Sequence, residues 1–334
     1  MSLVWHYTDA YGLLAILRGH VLWATSSRFL NDASEVSLGR DLLVAELERR
    51  RDQDPTYRLL HELITAEVDT ASPSPAEFFV LSAAQDWDLL AMWRSYGGRG
   101  ESYAIGLDRS APLAALVDDT GTGLPTVPGP LPQVRQRPWS PVRYGPAEQQ
   151  EVVDAVFARL DAGIARLAAA RETGLARSAG ASAVDGASAA GVPPQVVAEM
   201  MAFLDDVEQA MLLSKHGGFV DEREIRHSTV VFRGNPAGSP LTAFGASDDP
   251  ATSTLPPGLI QFRATPYGLA PYVRLTGAPD GAAVALAPSP LPIRALAVSP
   301  SGNAGASAET LRELLVSLGY PALPVHVSSI PFRE

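Results

Sequence analysis

Short strand patterns alternate with amphipathic helix patterns along most of this chain, and that alternation limits the possible folds more than any other feature. Runs of β-branched and aromatic residues predict strands at 3–7, 21–25, 77–83, 103–107, 225–232, 259–265, 271–275 and 293–298. Apolar residues at helical spacing predict helices after Asp9 and after Asp86, and at 35–50, 55–68, 146–171, 193–216 and 308–318. The sequence therefore predicts an α+β (mixed α/β) protein in which residues 1–334 form a single domain.

Two stretches interrupt the alternation. Residues 146–215 carry helical patterns, and we interpret them as a helical insertion between strands of one sheet. Within it, residues at about 173–192 are rich in Ala, Gly and Ser, a composition typical of a flexible linker. Residues 110–141 are rich in Pro and Gly and are predicted to be loop.

The composition excludes several kinds of chemistry. The 334 residues contain no cysteine, so disulfides, thiolate nucleophiles and Cys-ligated metals are ruled out. Lys215 is the only lysine among 26 basic residues, which removes most Schiff-base chemistry. The net charge of −11 disfavours binding along a nucleic-acid backbone, although it leaves a local basic patch open. With no basic leader and no apolar run of the ~18 residues that span a bilayer, we expect a cytoplasmic protein without a membrane partner.

Motifs of the common enzyme classes are missing from the sequence. No strand pattern is followed by the glycine-rich loop of a dinucleotide-binding fold or of a P-loop. The G-x-S-x-G elbow of the α/β-hydrolases and the H-E-x-x-H zinc motif are also missing. One metal site remains conceivable without support from ligand spacing, and its residues would be His6, Asp32, Glu224 and His227.

Polar residues cluster at the ends of the first two predicted strands. His6, Tyr7 and Thr8 end the first strand, where side chains that precede a helix commonly face a crevice. Arg28 and Asn31 lie in the polar turn after the second strand, and Arg28 is a candidate for binding a phosphate or a ribose. The plainer interpretations are a buried histidine satisfied by its neighbours and an Asx turn that caps the next helix.

Two further clusters carry aromatic rings or paired carboxylates. Trp93 and Tyr96 share one face of the short helix after Asp86, where they could stack on a flat heterocycle or belong to the core. Glu222 and Glu224 precede a strand and would share one face by strand alternation. Paired carboxylates can divide acid and base roles because repulsion and burial separate their pKa values. The plainer interpretation is a solvated edge strand with weak Glu–Arg pairs.

These clusters, taken in order, form a longer signature. It consists of Trp5-His6-Tyr7-Thr8, Gly12-Leu13, Ile16-Leu17, Leu22-Trp23, Arg28 through Asp32, Met92-Trp93, Tyr96-Gly97, Lys215-His216, Gly218-Phe219, Glu222 through Arg226, Ser299-Pro300 and Ser329 through Arg333. The signature resembles that of a bacterial and phage family, the domain-of-unknown-function family twenty-nine seventy-one. The resemblance spans nearly the whole chain apart from its loose segments, and the family name implies no activity.

A second resemblance implies a reaction. A strand ending in His-Tyr-Thr, an aromatic helix and a strand preceded by Glu-x-Glu are together similar to the ADP-ribosyltransferase superfamily, which includes DNA-modifying toxins. The resemblance implies a fold with two small sheets around a central cleft. It also implies that NAD binds in this cleft as a substrate, that no metal is needed, and that the bond between nicotinamide and ribose is broken.

The same resemblance implies roles for individual residues. Glu224 would be the catalytic glutamate, and Glu222 would help to select or activate the acceptor. The implied NAD-binding residues are His6, Tyr7, Thr8, Arg28, Asn31, Trp93 and Tyr96. His6 and Thr8 would hold the nicotinamide ribose or the carboxamide. Arg28 and Asn31 would contact the diphosphate or the acceptor. The aromatic residues of the helix would stack on the nicotinamide ring.

The resulting hypothesis is an NAD-consuming ADP-ribosyltransferase or NAD glycohydrolase of the glycosyltransferase class. The acceptor could be a protein, a nucleic-acid base, a small molecule or water, in a toxin or phage-defence setting. Two alternatives stay open at this point. One is a non-enzymatic binding or regulatory module in which His6, Glu224 and Arg226 form a structural network. The other is a metal-dependent hydrolase or nuclease.

Overall fold

Twelve strands and several helices make up the described part of the chain. The structure is a computed structural model that describes residues 2–30, 34–54, 57–58, 60–62, 76–96, 100–117, 134–178, 194–232, 258–265 and 268–331. The strands are β1 (Leu3–Asp9), β2 (Leu22–Ser26), β3 (Ala76–Ala84), β4 (Ser102–Asp108), β5 (Leu113–Leu116), β6 (Val134–Pro141), β7 (Glu224–Phe232), β8 (Ile260–Thr265), β9 (Gly268–Gly277), β10 (Val284–Ala285), β11 (Ile293–Val298) and β12 (Val325–Val327).

The helices fall between these strands. The α-helices are α1 (Ala10–Gly19), α2 (Ser34–Arg50), α3 (Leu90–Tyr96), α4 (Pro146–Ser178), α5 (Pro194–Leu213) and α6 (Ala304–Ser317), and residues 57–58 and 60–62 are also helical. Two short 3-10 helices are Ser27–Phe29 and Gly217–Glu222. The mixed α/β fold expected from the sequence is confirmed. No described helix combines the length and the apolar character needed to cross a bilayer.

The strands of the described residues form one large sheet. Its main path runs β10-β5-β9-β2-β3-β1-β4-β11-β12, with β8 beside β9, β7 beside β3 and β6 beside β7. All pairs are antiparallel except β10 with β5 and β11 with β12. The expectation of two separate small sheets is not confirmed, because hydrogen bonds connect the strands continuously through β3.

Strand β3 is the point at which the sheet divides. One edge pairs with β7 along all of β3, from Ala76 opposite Phe232 to Ala84 opposite Glu224. The other edge is shared: β2 pairs at residues 79 and 80, and β1 pairs at residue 84. The branch that begins with β2 and the branch that begins with β1 therefore leave β3 at different positions along the strand. We call the gap between them the fork.

The apolar residues form separate clusters around this sheet. The largest cluster packs α1 and α6 on the sheet, through Leu17 and Leu311 among others. A second cluster joins α2, α4 and α5, with Leu43 and Phe157 fully buried. Burying each such side chain contributes roughly 1.5–3 kcal/mol. Helix α2 approaches α5 so closely that a Cβ at Gly39 would lie 2.6 Å from the Cα of Met211, so only glycine fits there.

The predicted loop at 110–141 is wrong in two places. Strand β5 occupies residues 113–116, where Leu-Ala-Ala-Leu is completely buried but has little intrinsic strand propensity. Strand β6 contains Pro138, and its register with β7 shifts between Arg137 and Ser140. Among the described strands β6 pairs only with β7, so it is an edge strand. It can contain this proline because the backbone N–H that proline lacks is not needed on the outer side of an edge strand.

The predicted helical insertion at 146–215 lies between β6 and β7. Helices α4 and α5 occupy most of its described residues. Residues 173–178, where we predicted the start of a linker, continue α4, and residues 179–193 lie outside the described residues. Helices α4 and α5 pack against each other and against α2.

Candidate functional site

A cavity of about 520 Å³ lies at the fork of the sheet. Its volume falls within the range of small-molecule sites. Segments that are far apart in sequence meet here, because β1, β2, β3 and β7 all reach the fork. The lining residues are His6, Tyr7, Thr8, Asp9, Gly12, Ala15, Ile16, Val21, Trp23, Thr25, Phe29, Leu30, Val80, Leu81, Ser82, Met92, Tyr96, Lys215, Glu224, Arg226 and Arg263.

The end of β1 supplies the first group of predicted residues. The Nδ1 atom of His6 lies 3.0 Å from the carbonyl oxygen of Ser82 on β3. Because a carbonyl oxygen only accepts, Nδ1 carries the proton and Nε2 of the neutral ring is left as an acceptor. Burial lowers the pKa of His6, and the hydrogen bond to Ser82 only partly opposes that shift. His6 is therefore a neutral imidazole at pH 7.

Thr8 and the start of α1 form the adjoining wall. Asp9 caps the helix by accepting from the backbone N–H of Gly12 at 2.7 Å. A Cβ at Gly12 would stand 2.0 Å from the hydroxyl oxygen of Thr8. Glycine at this position therefore leaves room for the Thr8 hydroxyl over the first turn of α1.

Tyr7 and Trp93 hold the aromatic helix in place. The Tyr7 hydroxyl donates to the carbonyl of Asp86 at 2.9 Å and accepts from the N–H of Leu89 at 3.2 Å. The rings of Tyr7 and Trp93 meet edge to face, with centroids 4.5 Å apart. The indole N–H of Trp93 donates to Asp88 at 3.0 Å. Trp93 lies in a buried cluster, whereas Tyr96 at the end of the same helix lines the cavity.

The turn after β2 contributes its apolar residues to the cavity. Phe29 and Leu30 line it, whereas the neighbouring Arg28, in the 3-10 helix Ser27–Phe29, does not. Asn31 lies outside the described residues.

Glu224 sits in a buried network with two cations. The Nε and Nη2 atoms of Arg226 donate to its two carboxylate oxygens at 2.8 and 2.9 Å. The Nζ atom of Lys215 lies 2.9 Å from Glu224 and 2.8 Å from Glu222. Lys215, Glu224 and Arg226 are each at most 4% exposed. Lys215 thus joins the two carboxylates that the sequence placed side by side.

The network keeps Glu224 ionised. Burial would raise the pKa of Glu224, but the charge and hydrogen bonds of Arg226, the charge of Lys215 and a hydrogen bond from Ser82 outweigh it and lower the pKa to about 2. At pH 7 the site therefore contains a fixed carboxylate. The negative charges of Glu222 and Glu224 balance the positive charges of Lys215 and Arg226.

A short 3-10 helix immediately before β7 sets the backbone position of Glu224. It spans Gly217–Glu222 and ends at Arg223, whose φ of 45° turns the chain into β7. The backbone N–H of Glu224 donates to the hydroxyl of Tyr144 at 2.7 Å. Glu222 therefore lies in the 3-10 helix rather than on the strand, and it meets Glu224 through Lys215 instead of through strand alternation. Strand β7 lies between β3 and β6 rather than at a solvated edge.

The opposite wall was not foreseen from the sequence. Trp23 on β2 is 48% exposed, and the guanidinium carbon of Arg263 lies 5.8 Å from its ring centroid. The Nη2 atom of Arg263 donates to the hydroxyl of Thr25 at 2.9 Å, across the β2–β9–β8 branch. The local sequence signal for this wall is a tryptophan that strand alternation places on the face opposite Leu22 and Ala24.

Of the four residues of the conceivable metal site, His6 and Glu224 line the same cavity, but His227 does not join them. Within the described ranges, no group of three or more His, Asp or Glu side chains could hold a metal ion. His227 lies next to Arg226 on β7, so its side chain leaves the strand on the opposite face. It hydrogen-bonds Gln136 at 3.0 Å, and burial lowers its pKa to about 4. Asp32 lies outside the described residues.

Comparisons with known proteins add no relative. The sequence matches no family model, and no curated protein or solved structure is significantly similar to it. The two family resemblances seen in the motifs are not supported by these comparisons and stay predictions.

Proposed function

We propose that this protein is an NAD-consuming ADP-ribosyltransferase or NAD glycohydrolase that works at the fork cavity. The observation that carries the proposal is the convergence of His6, Thr8, Tyr96 and Glu224 on one cavity. These residues come from three strands or helices that are distant in sequence, and each belongs to a motif that is visible in the sequence alone. We also propose that the two branches of the forked sheet correspond to the two small sheets of the ADP-ribosyltransferase superfamily.

Glu224 has the properties that the reaction requires. When the nicotinamide–ribose bond breaks, its electron pair passes to the pyridinium nitrogen, and positive charge develops on ribose C1 and the ring oxygen. A fixed carboxylate stabilises that charge more in the transition state than in the ground state. The paired cations hold Glu224 in one orientation and keep it ionised at pH 7. The acceptor oxygen or nitrogen then bonds to C1, and its proton passes to the solvent.

The other lining residues suit the two ends of such a substrate. Tyr96 offers a ring that can stack on the nicotinamide, as the sequence motif implies. His6 offers a neutral Nε2 acceptor, and Thr8 offers a hydroxyl, for the ribose or the carboxamide. Trp23 and Arg263 supply a second aromatic surface and a cation on the opposite wall.

One observation favours a second candidate function. Both carboxylate oxygens of Glu224 already accept hydrogen bonds from Arg226 and Lys215, as in a purely structural buried ion pair. On that basis the protein would be a non-enzymatic binding or regulatory module in which this network is structural. His6 is not part of this network, since its Nδ1 is bonded to the main chain of Ser82.

Nicotinamide release separates the two functions. We expect purified protein to release nicotinamide from NAD, and Glu224→Gln to reduce the rate by about 10²- to 10³-fold, the usual loss for a preorganised electrostatic group. Glu222→Gln should retain hydrolysis but transfer less ADP-ribose to an acceptor. Equal release by wild type and Glu224→Gln would refute the enzymatic assignment. No release of nicotinamide, together with a melting temperature that no nucleotide raises and that Glu224→Gln lowers markedly, would favour the non-enzymatic module.

Glu46 offers a matched control. This glutamate is also buried and is paired with Arg49 and Arg50, but it lies on α2 rather than at the cavity. Glu46→Gln therefore removes a comparable ion-paired carboxylate, and we expect nicotinamide release to be unchanged when both variants are assayed below their melting temperatures.

A further inference from the structure

Trp23 on β2 carries the most exposed indole among the five tryptophans of the chain, all of which the structure describes. Its ring packs on that of Tyr272 on β9, with the centroids 4.7 Å apart and the planes inclined by 36°. Tyr272 is buried and does not line the cavity, so it supports the indole from beneath. Trp23 does line the cavity and is 48% exposed, so the ring face turned away from Tyr272 is open to a ligand.

Arg263 borders this indole as a cation that keeps donors to spare. Its Nη2 donates to Thr25 at 2.9 Å, and its guanidinium carbon lies 5.8 Å from the ring centroid of Trp23. Within the described ranges no carboxylate forms an ion pair with Arg263, and its buried Nε has no hydrogen-bond partner. The other two cations of the lining are paired with Glu222 and Glu224. Arg263 is therefore placed to donate to the ring nitrogens of a heterocycle stacked on Trp23.

The two aromatic surfaces of the cavity belong to different branches of the fork. Tyr96 ends α3, which the contact between Tyr7 and Trp93 fastens to β1, whereas Trp23 lies on β2. A ligand with one flat ring can use only one of these surfaces. A ligand with two flat rings on a flexible link can place one ring on each branch and span the gap between them. A dinucleotide is built in this way.

We infer that Trp23 and Arg263 form a purine-binding subsite, and that the ring it binds is the adenine of NAD. In the proposed function Tyr96 stacks on the nicotinamide, so the adenine is the ring that remains for Trp23. A purine overlaps well with an indole, and its ring nitrogens accept hydrogen bonds from a guanidinium. The subsite deepens the proposed function and rests on it for the identity of the second ring, whereas the stacking itself requires no catalysis.

Adenosine is the probe that tests the subsite, because it carries the purine without phosphate or nicotinamide. We expect titration calorimetry on the full chain to show saturable binding, which Trp23→Leu weakens by about tenfold or more through the loss of a base–aromatic stack. Phe262→Leu is the matched control. It removes another exposed ring, next to Arg263 on β8 but outside the cavity lining, and should leave the affinity unchanged.

Three results of this titration would overturn the inference. The first is an affinity for adenosine that Trp23→Leu leaves unchanged, and the second is the absence of any adenosine binding. The third concerns the source of the purine: NAD should displace adenosine, and guanosine should bind less tightly than adenosine. Failure of NAD to displace it, or tighter binding of guanosine, would contradict the assignment to the adenine of NAD.

A second measurement needs no variant. Acrylamide quenches the fluorescence of exposed indoles, and Trp23 is the most exposed one. Saturating adenosine should shield it and lower the quenching, whereas an unchanged quenching curve would overturn the inference even if Trp23→Leu failed to fold. Adenosine has no nicotinamide–ribose bond, so the two proposals can fail separately. Adenosine binding through Trp23 without NAD cleavage refutes only the proposed function, and NAD cleavage without a role for Trp23 in adenosine binding refutes only the subsite.

Discussion

Replacing Glu224 with glutamine should destabilise the protein in a pH-dependent way. The pKa of Glu224 is lowered to about 2 because Arg226 and Lys215 outweigh the cost of burial. Relative to an ordinary glutamate near 4.5, this shift corresponds to about 3 kcal/mol of stability at pH 7. The folded pKa lies below the unfolded one, so this stability is complete above about pH 4.5 and is lost as the pH falls towards 2.

The difference between wild type and Glu224→Gln isolates this contribution from the other carboxylates. Glutamine presents an amide N–H₂ where one carboxylate oxygen accepted from a cation, so it leaves buried donors without an acceptor. We expect the free energy of unfolding of the variant to be lower by about 3 kcal/mol at pH 7 and by only about 1 kcal/mol at pH 3.

Urea unfolding followed by tryptophan fluorescence at several pH values measures this difference. A constant difference between pH 7 and pH 3 would mean that the stability of the network does not depend on the ionisation of Glu224. Equal stability of the two proteins at pH 7 would refute the reasoning entirely, since it would show that the paired cations gain nothing from the carboxylate.

Three further predictions concern the surroundings of the cavity. Tyr7→Phe should lower the free energy of unfolding by about 1–3 kcal/mol, because the N–H of Leu89 loses its acceptor, and urea unfolding would show whether it does. Gly12→Ala should weaken NAD binding because the added Cβ displaces the Thr8 hydroxyl. Gly19→Ala should leave NAD binding unchanged because no atom lies within 4 Å of its added Cβ, and calorimetry compares the two variants. Burial lowers the pKa of His227 to about 4, so stability should fall as the pH drops from about 6.5 to 4, and His227→Gln should remove that part of the slope in pH-dependent unfolding.

Local sequence patterns predicted most of the elements because each carries its own periodicity. The strand and helix at the start of the chain, the aromatic helix before Gly97 and the strand at 225–232 were all identified within a few residues. Strands β5 and β6 were missed because their form depends on partners: β5 is an apolar Ala-rich run, and β6 tolerates proline only as a neighbour of β7. Pairing between distant segments leaves no local signal.

The same limit applies to the site. His6 and Thr8 could be selected because the end of a strand that runs into a helix tends to face a crevice, and Glu224 because carboxylates cluster just before an apolar strand. Both are local properties of the sequence. Lys215 follows a helix and reaches Glu224 only through the folded backbone, so the sequence showed it as a rare residue type and as part of the longer signature, but not as a partner of Glu224. Arg263 meets Trp23 across strands that are more than 200 positions apart, a contact that only the sheet topology reveals.

The division of β3 also exposes backbone to the cavity. Strand β2 covers the edge of β3 at residues 79 and 80, and β1 covers it again only at residue 84. The main chain of Ser82 faces the space in between, as its carbonyl contact with His6 shows. A ligand group anchored on this stretch of peptide would keep its anchor when the surrounding side chains are replaced. An alanine scan of the cavity would then miss part of the binding energy. Variants with different lining side chains would still bind a ligand at this part of β3.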